Sequence, residues 1–213
     1  MRRGFRLIAP YAAWMVLMAA LPATATAYAV RTAVTAALLA AGWWKGLETL
    51  DDRPEPCLSS NVLSPLKSSV SRLKSSLLPG LLVGLAVFAI WILPEQFDIP
   101  FYQRFCIVGE GGTQAVAEAG AAMIAVRLVG SAFVISVAEE LFFRKWLISF
   151  AGFWWMVALF AIEHDRWLVG AIAGAVYGLL YLRKGLLAAI VAHATTNLVL
   201  GLWVLKTGQW QFW

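Results

Sequence analysis

The sequence predicts an all-α protein, a polytopic transmembrane helical bundle of about seven spans. Three observations carry this prediction. Hydrophobic types make up 61% of the 213 residues and charged types only 14%, against about a quarter charged in soluble domains. The mean hydropathy is +0.75, which places the chain in the membrane class. Its apolar residues fall into runs near the roughly 20 needed to cross a bilayer. Short breaks of Gly, Pro or charge separate the runs, and no strand alternation competes.

The first helix is expected from about Leu7 to Leu21, after Arg2, Arg3 and Arg6. The triplet Ala25-Thr26-Ala27 resembles a signal-peptide cleavage site. A retained helix is nevertheless expected, because the apolar stretch is long and contains Pro10. The second helix covers about Val30 to Leu47. The long polar stretch Glu48 to Ser76 reads as a loop, with a short surface helix around Leu66 to Leu73. A third span follows from about Leu77 to Leu93, then a loop with Pro94, Pro100 and Gly111-Gly112. Further helices are expected at about 121–150, 153–165, 167–182 and 185–205, broken at Gly152, Asp165-Arg166 and Arg183-Lys184-Gly185. The chain is read as one membrane domain. Residues 1–120 supply N-terminal helices and loops, and residues 121–213 a core.

Charge sets the expected orientation. Arg2, Arg3 and Arg6 place the N-terminus inside, as do Arg53, Lys67, Arg72 and Lys74 for the 48–76 loop. The 94–120 loop carries only Arg104 against four acids and is expected outside, with Trp210-Gln211-Phe212-Trp213 as an aromatic interfacial anchor on that side. The net charge of +5 therefore sits at helix ends and meets lipid headgroups, and no basic cluster suits nucleic acid. Cys57 and Cys106 fall in loops on opposite sides, so neither a disulfide nor a metal signature is expected from them.

An ionisable residue within a span costs about 2.5 kcal/mol or more and is a functional hypothesis by default. The last third of the chain holds several. In Ala138-Glu139-Glu140-Leu141-Phe142-Phe143-Arg144, Glu140 and Arg144 stand four apart and share a helix face. Arg144 can hold Glu140 ionised, while Glu139 points about 100° away. Phe160-Ala161-Ile162-Glu163-His164 is the second group, with Glu163 and Asp165 as extra acids beside the histidine. His193-Ala194-Thr195-Thr196-Asn197 is the third, again with two residues on one face. Each alone also reads as a helix end with snorkelling charges or as a satisfied core polar group. Together they point to one site, since the chain has only two histidines and both lie in apolar segments. If the chain turns at Gly152, Glu139 and His164 rise to about the same height, roughly 18–20 Å.

These residues resemble a known family. Glu-Glu-x-x-x-Arg at 139–144, Phe-x-x-x-His at 160–164 and His-x-x-x-Asn at 193–197 look like the three motifs of the CPBP family, which contains the CAAX prenyl endopeptidases and the bacterial Abi-type membrane proteins. The segment Leu205 to Trp213 is further similar to CAAX-protease-related proteins that accompany exosortase/PEP-CTERM sorting systems. The resemblance implies a multi-pass protein of the cell (inner) membrane, a glutamate-dependent intramembrane endopeptidase without a cofactor. It implies that Glu139 activates water and His164 orients it. His193 and Asn197 would stabilise the oxyanion, with Glu140 and Arg144 as a supporting pair. The implied partners are the lipid bilayer, a membrane-anchored protein or peptide substrate, and exosortase-system proteins. Peptide hydrolysis does need a positioned water, a base and donors aimed at a developing oxyanion.

Three other readings stay open at this level. His164, His193 and a Glu suit Zn²⁺ with water in the fourth position, as in a zinc-dependent intramembrane metalloprotease. Against this, no His-x-x-x-His pair occurs, and Asn is a poor ligand. The polar cluster also suits a non-proteolytic scaffold or immunity protein. A proton-coupled transporter uses membrane Glu and His as well, although it would more naturally show paired broken helices in two repeats.

Overall fold

The structure, a computed structural model, describes residues 2–43, 65–108 and 120–212. These form an all-α bundle. Helix α1 spans Arg2–Ala20, α2 Ala25–Trp43, α3 Pro65–Gln96 and the short α4 Pro100–Phe105. Helix α5 runs over Ala121–Ala151, followed by α6 Phe153–Ile162, α7 Trp167–Lys184 and α8 Leu186–Thr207. A single tight turn, Trp210–Phe212, ends the described chain.

Among the described residues, Ala25–Gly42, Ser75–Gln96, Ala121–Ala151 and Leu186–Thr207 are long and apolar enough to cross a membrane, and Gly4–Ala20 and Phe153–Ile162 are shorter apolar helices. The expected break at Gly152 falls between α5 and α6, where the residue has φ 93°. That backbone state is nearly free for glycine alone. Helix α3 departs from expectation. The segment Leu66 to Leu73, expected as a separate surface helix, is continuous with the span that follows. Helix propagation adds one hydrogen bond per residue fixed, so a formed span extends cheaply into a neighbouring polar stretch. The rest of the polar loop, with Cys57, and the Gly111-Gly112 segment lie outside the described residues. Cys106 is buried and not disulfide-bonded.

Close helix contacts rest on small residues. Gly80 and Gly84 of α3 face α8, which is its main packing partner. A Cβ at Gly84 would stand 2.5 Å from the Ala192 carbonyl oxygen and 2.7 Å from Thr195 Cβ. On α7, Gly170, Gly174 and Gly178 repeat every four residues and lie against α6 and the turn beyond it. In lipid, where tails are as apolar as leucine, such backbone approach is a main source of helix association. The largest core unites Tyr11 of α1, Val87 of α3, Phe143 and Leu147 of α5, Met156 and Phe160 of α6, Tyr177 of α7 and Ala192 of α8. Residues from both halves of the chain thus share one core.

Candidate active site

Helix α5 is not regular. Two wider stretches with π-helical hydrogen bonding, Gly130–Ile135 and Leu141–Leu147, flank one ordinary α segment, Ser136–Glu140. Such bulges recur at functional sites because they re-aim side chains within a continuous helix. Here they bracket Glu139 and Glu140.

The two carboxylates point to different partners. Glu140 Oε1 lies 3.0 Å from Arg144 Nη1, with both side chains fully buried. The same oxygen accepts a hydrogen bond from His193 Nδ1 at 2.9 Å. The Arg144 guanidinium sits 4.2 Å from the ring centre of Phe160, 5.5 Å from Tyr177 and 5.8 Å from Phe143. These ring faces supply attraction that water would otherwise provide. Arg144 thus lies within a span but faces protein on every side. Glu139 turns away from this pair. Its Oε2 lies 3.7 Å from His193 Nε2 and has no hydrogen-bond partner among the described residues.

His193 also stacks on Tyr177, with ring centres 5.1 Å apart at 22°. The Tyr177 hydroxyl donates to Thr196 Oγ1 at 2.7 Å, and Thr196 donates to the Gly84 carbonyl at 2.8 Å. A chain of contacts therefore locks the His193 ring to α3 and α7. His164 lies in the turn after α6. Its Nδ1 donates to the Phe160 carbonyl at 2.7 Å, which leaves Nε2 as an acceptor in the neutral ring. Trp91 packs edge-on against it, with ring centres 5.4 Å apart.

Asn197 is placed differently from an idle donor. Its Nδ2 donates to the Ser131 carbonyl at 3.0 Å and to Ser136 Oγ at 3.1 Å. Both amide hydrogens are thus engaged, and an oxyanion role requires that one be released. Of the extra acids beside His164, Glu163 keeps one buried carboxylate oxygen without a hydrogen-bond partner among the described residues, while Asp165 is exposed.

Glu139, His164, His193 and Asn197 line one cavity of about 170 Å³, together with Trp91, Ser131 and Phe212. A buried water needs only about 10–15 Å³ on the same kind of measure, so several fit. Glu140 and Arg144 stand behind His193 rather than on the cavity wall. Sequence reasoning missed Tyr177, Ser131, Ser136 and Phe212. Nothing local marks a serine or an aromatic in an apolar helix as part of a site. No group of three or more His, Cys, Asp or Glu side chains is arranged to hold a metal ion among the described residues.

Fold and cavity together define a class, the all-α polytopic membrane proteins with a cavity among apolar helices that polar side chains line in part. Residues 121–199 match the family model described as type II CAAX prenyl endopeptidase Rce1-like. That description is consistent with the resemblance of the three motifs to the CPBP family. The match supports intramembrane endopeptidase activity, a hydrolase function. It covers the Glu-Glu-x-x-x-Arg, Phe-x-x-x-His and His-x-x-x-Asn segments. No curated protein and no solved structure matches the chain.

Proposed function

We propose that the protein cleaves a peptide bond in a membrane-anchored protein or peptide, using water activated by Glu139. One observation carries this reading. Glu139 lines the cavity and has a carboxylate oxygen without a hydrogen-bond partner among the described residues, and His164, whose Nε2 is left as an acceptor, lines the same space. A water donating one hydrogen to Glu139 and the other to His164 Nε2 keeps a lone pair for the substrate carbonyl. As its oxygen bonds to the carbonyl carbon, the proton passes to Glu139 and the carbonyl oxygen becomes an oxyanion. Breakage of the carbon–nitrogen bond then returns that proton to the leaving amine, giving a carboxylic acid and an amine. General base catalysis of this kind contributes about 10²–10⁴-fold.

The remaining residues support the step. Glu140 accepts from Nδ1 of His193 and so directs Nε2 toward Glu139 and the oxyanion, to which Nε2 donates when both ring nitrogens carry a proton. Arg144 pairs with Glu140 in a site with little solvent. Asn197 supplies a second oxyanion donor when it releases Ser136 or Ser131. The site works without a metal in this reading, in the cell (inner) membrane, on a substrate that exosortase-system proteins also handle. The test compares membrane proteomes of cells carrying wild type and Glu139→Ala. A membrane protein that stays longer in the variant, and is shortened by wild type in purified form, is the expected result. Identical proteomes and no cleavage by purified protein would overturn the reading.

A further inference from the structure

The segment after α8, expected as an interfacial aromatic anchor, folds back into the bundle. Gly208 takes φ 69°, and its N–H bonds the Val204 carbonyl at 2.8 Å, which reverses the chain. The turn Trp210–Phe212 then lies against the ends of α3 and α8. Phe212 is 5% exposed, packs with Ile92, Leu200 and Val204, and forms part of the cavity wall that includes Glu139 and His164. Polar and ring contacts add to this packing. Gln96 Nε2 donates to Gln209 Oε1 at 2.7 Å in an exposed position. The Arg166 guanidinium lies 4.8 Å from the Phe212 ring centre, and Arg166 also pairs with Glu95, Nη2 to Oε2 at 3.1 Å.

We propose that Phe212 stands in an apolar subsite of the cavity, which a large hydrophobic side chain of the substrate takes when the turn lifts. The substrate side of this inference rests on the endopeptidase reading. The position of Phe212 does not. The space it fills is apolar on the α3 and α8 side and opens toward the polar groups on the other. An extended peptide reaching Glu139 along this wall must place a side chain where Phe212 now sits. The turn is a single short turn rather than a packed helix, and its polar tie to α3 is an exposed amide pair. Arg166 follows His164 by two residues. The pairing of Arg166 with Glu95 leaves the His164 turn anchored after Phe212 departs.

The test uses the whole protein in lipid nanodiscs with Ser131→Cys as a cavity reporter. A water-soluble maleimide modifies it, and peptide mass spectrometry reads position 131 alone. Adding Phe212→Ala should speed modification by about tenfold, and Gln209→Ala should speed it by less, since each raises the fraction with an open cavity. N-acetylphenylalaninamide should slow modification of the Phe212→Ala protein by filling the vacated space, and N-acetylalaninamide should not. Unchanged rates in both variants would overturn the stopper, and equal effects of the two amides would overturn the subsite. If Phe212→Ala fails to fold, Phe212→Leu and Gln209→Ala carry the same comparison. The readout needs no hydrolysis, so a working stopper in a protein without peptidase activity would count against the endopeptidase reading alone.

Discussion

Nδ1 of His193 lies 2.9 Å from Glu140 Oε1, joining α8 to α5 across 53 residues of chain. Its other ring nitrogen lies 3.7 Å from Glu139. One imidazole thus stands between two consecutive carboxylates, of which one is tied to Arg144 and the other faces the cavity. The division of labour proposed for the two glutamates follows. Glu139→Gln should abolish hydrolysis of a membrane-embedded peptide while leaving folded yield near wild type, because an amide keeps the shape but cannot take a proton. The assay is turnover at matched folded concentration, and wild-type turnover would defeat the mechanism.

Arg144→Ala should act on folding. It leaves Glu140 buried without its cation and empties the space between Phe160, Tyr177 and Phe143. Removing one partner of a buried pair costs about 3–5 kcal/mol. Thermal unfolding in detergent should show a marked fall in midpoint and in folded yield, larger than for Glu139→Gln. A variant as stable as wild type would show that the pair contributes little.

Asn197→Ala should reduce turnover by about 10²–10³-fold if the amide serves the oxyanion. The control is Ser136→Ala, which removes one of the amide's two present acceptors. It should cost less than about tenfold, because it leaves the donor in place and freer to turn. Equal losses in the two variants would mean that Asn197 acts as a tie between α8 and α5 rather than as a donor.

Gly84→Ala tests the contact between α3 and α8. The added methyl meets the Ala192 carbonyl oxygen, which is backbone and cannot swing aside. Overpacking of this kind costs about 1–3 kcal/mol. The Gly84 carbonyl also accepts from Thr196, so the shift should loosen Tyr177 and His193 as well. Loss of both stability and turnover is expected, and an unaffected melting midpoint would contradict the packing account.

Purified active protein should hold less than about one zinc per several chains, whereas a catalytic zinc site fixes one metal by three protein ligands. Elemental analysis with chelation decides this. Stoichiometric zinc that leaves together with activity would favour the metalloprotease reading, in which His164, His193 and a glutamate are the ligands.

The sequence by itself determined the membrane class, the helices after residue 120 and the motif residues that line the cavity. These are local properties. Run length against bilayer thickness fixes a span, and the cost of a charge in hydrocarbon makes Glu139, His164 and His193 conspicuous wherever they are met. The tertiary structure alone decided what each residue touches. Arg144 lies among three rings from α5, α6 and α7, and Asn197 spends its hydrogens on Ser131 and Ser136. Phe212, which reads as part of an interfacial anchor, turns inward at Gly208 and joins the cavity wall. The reason is physical. Hydropathy depends on a residue and its neighbours in the chain, whereas hydrogen-bond commitment and ring contacts depend on groups brought from other helices, here through the close approach that Gly80 and Gly84 allow.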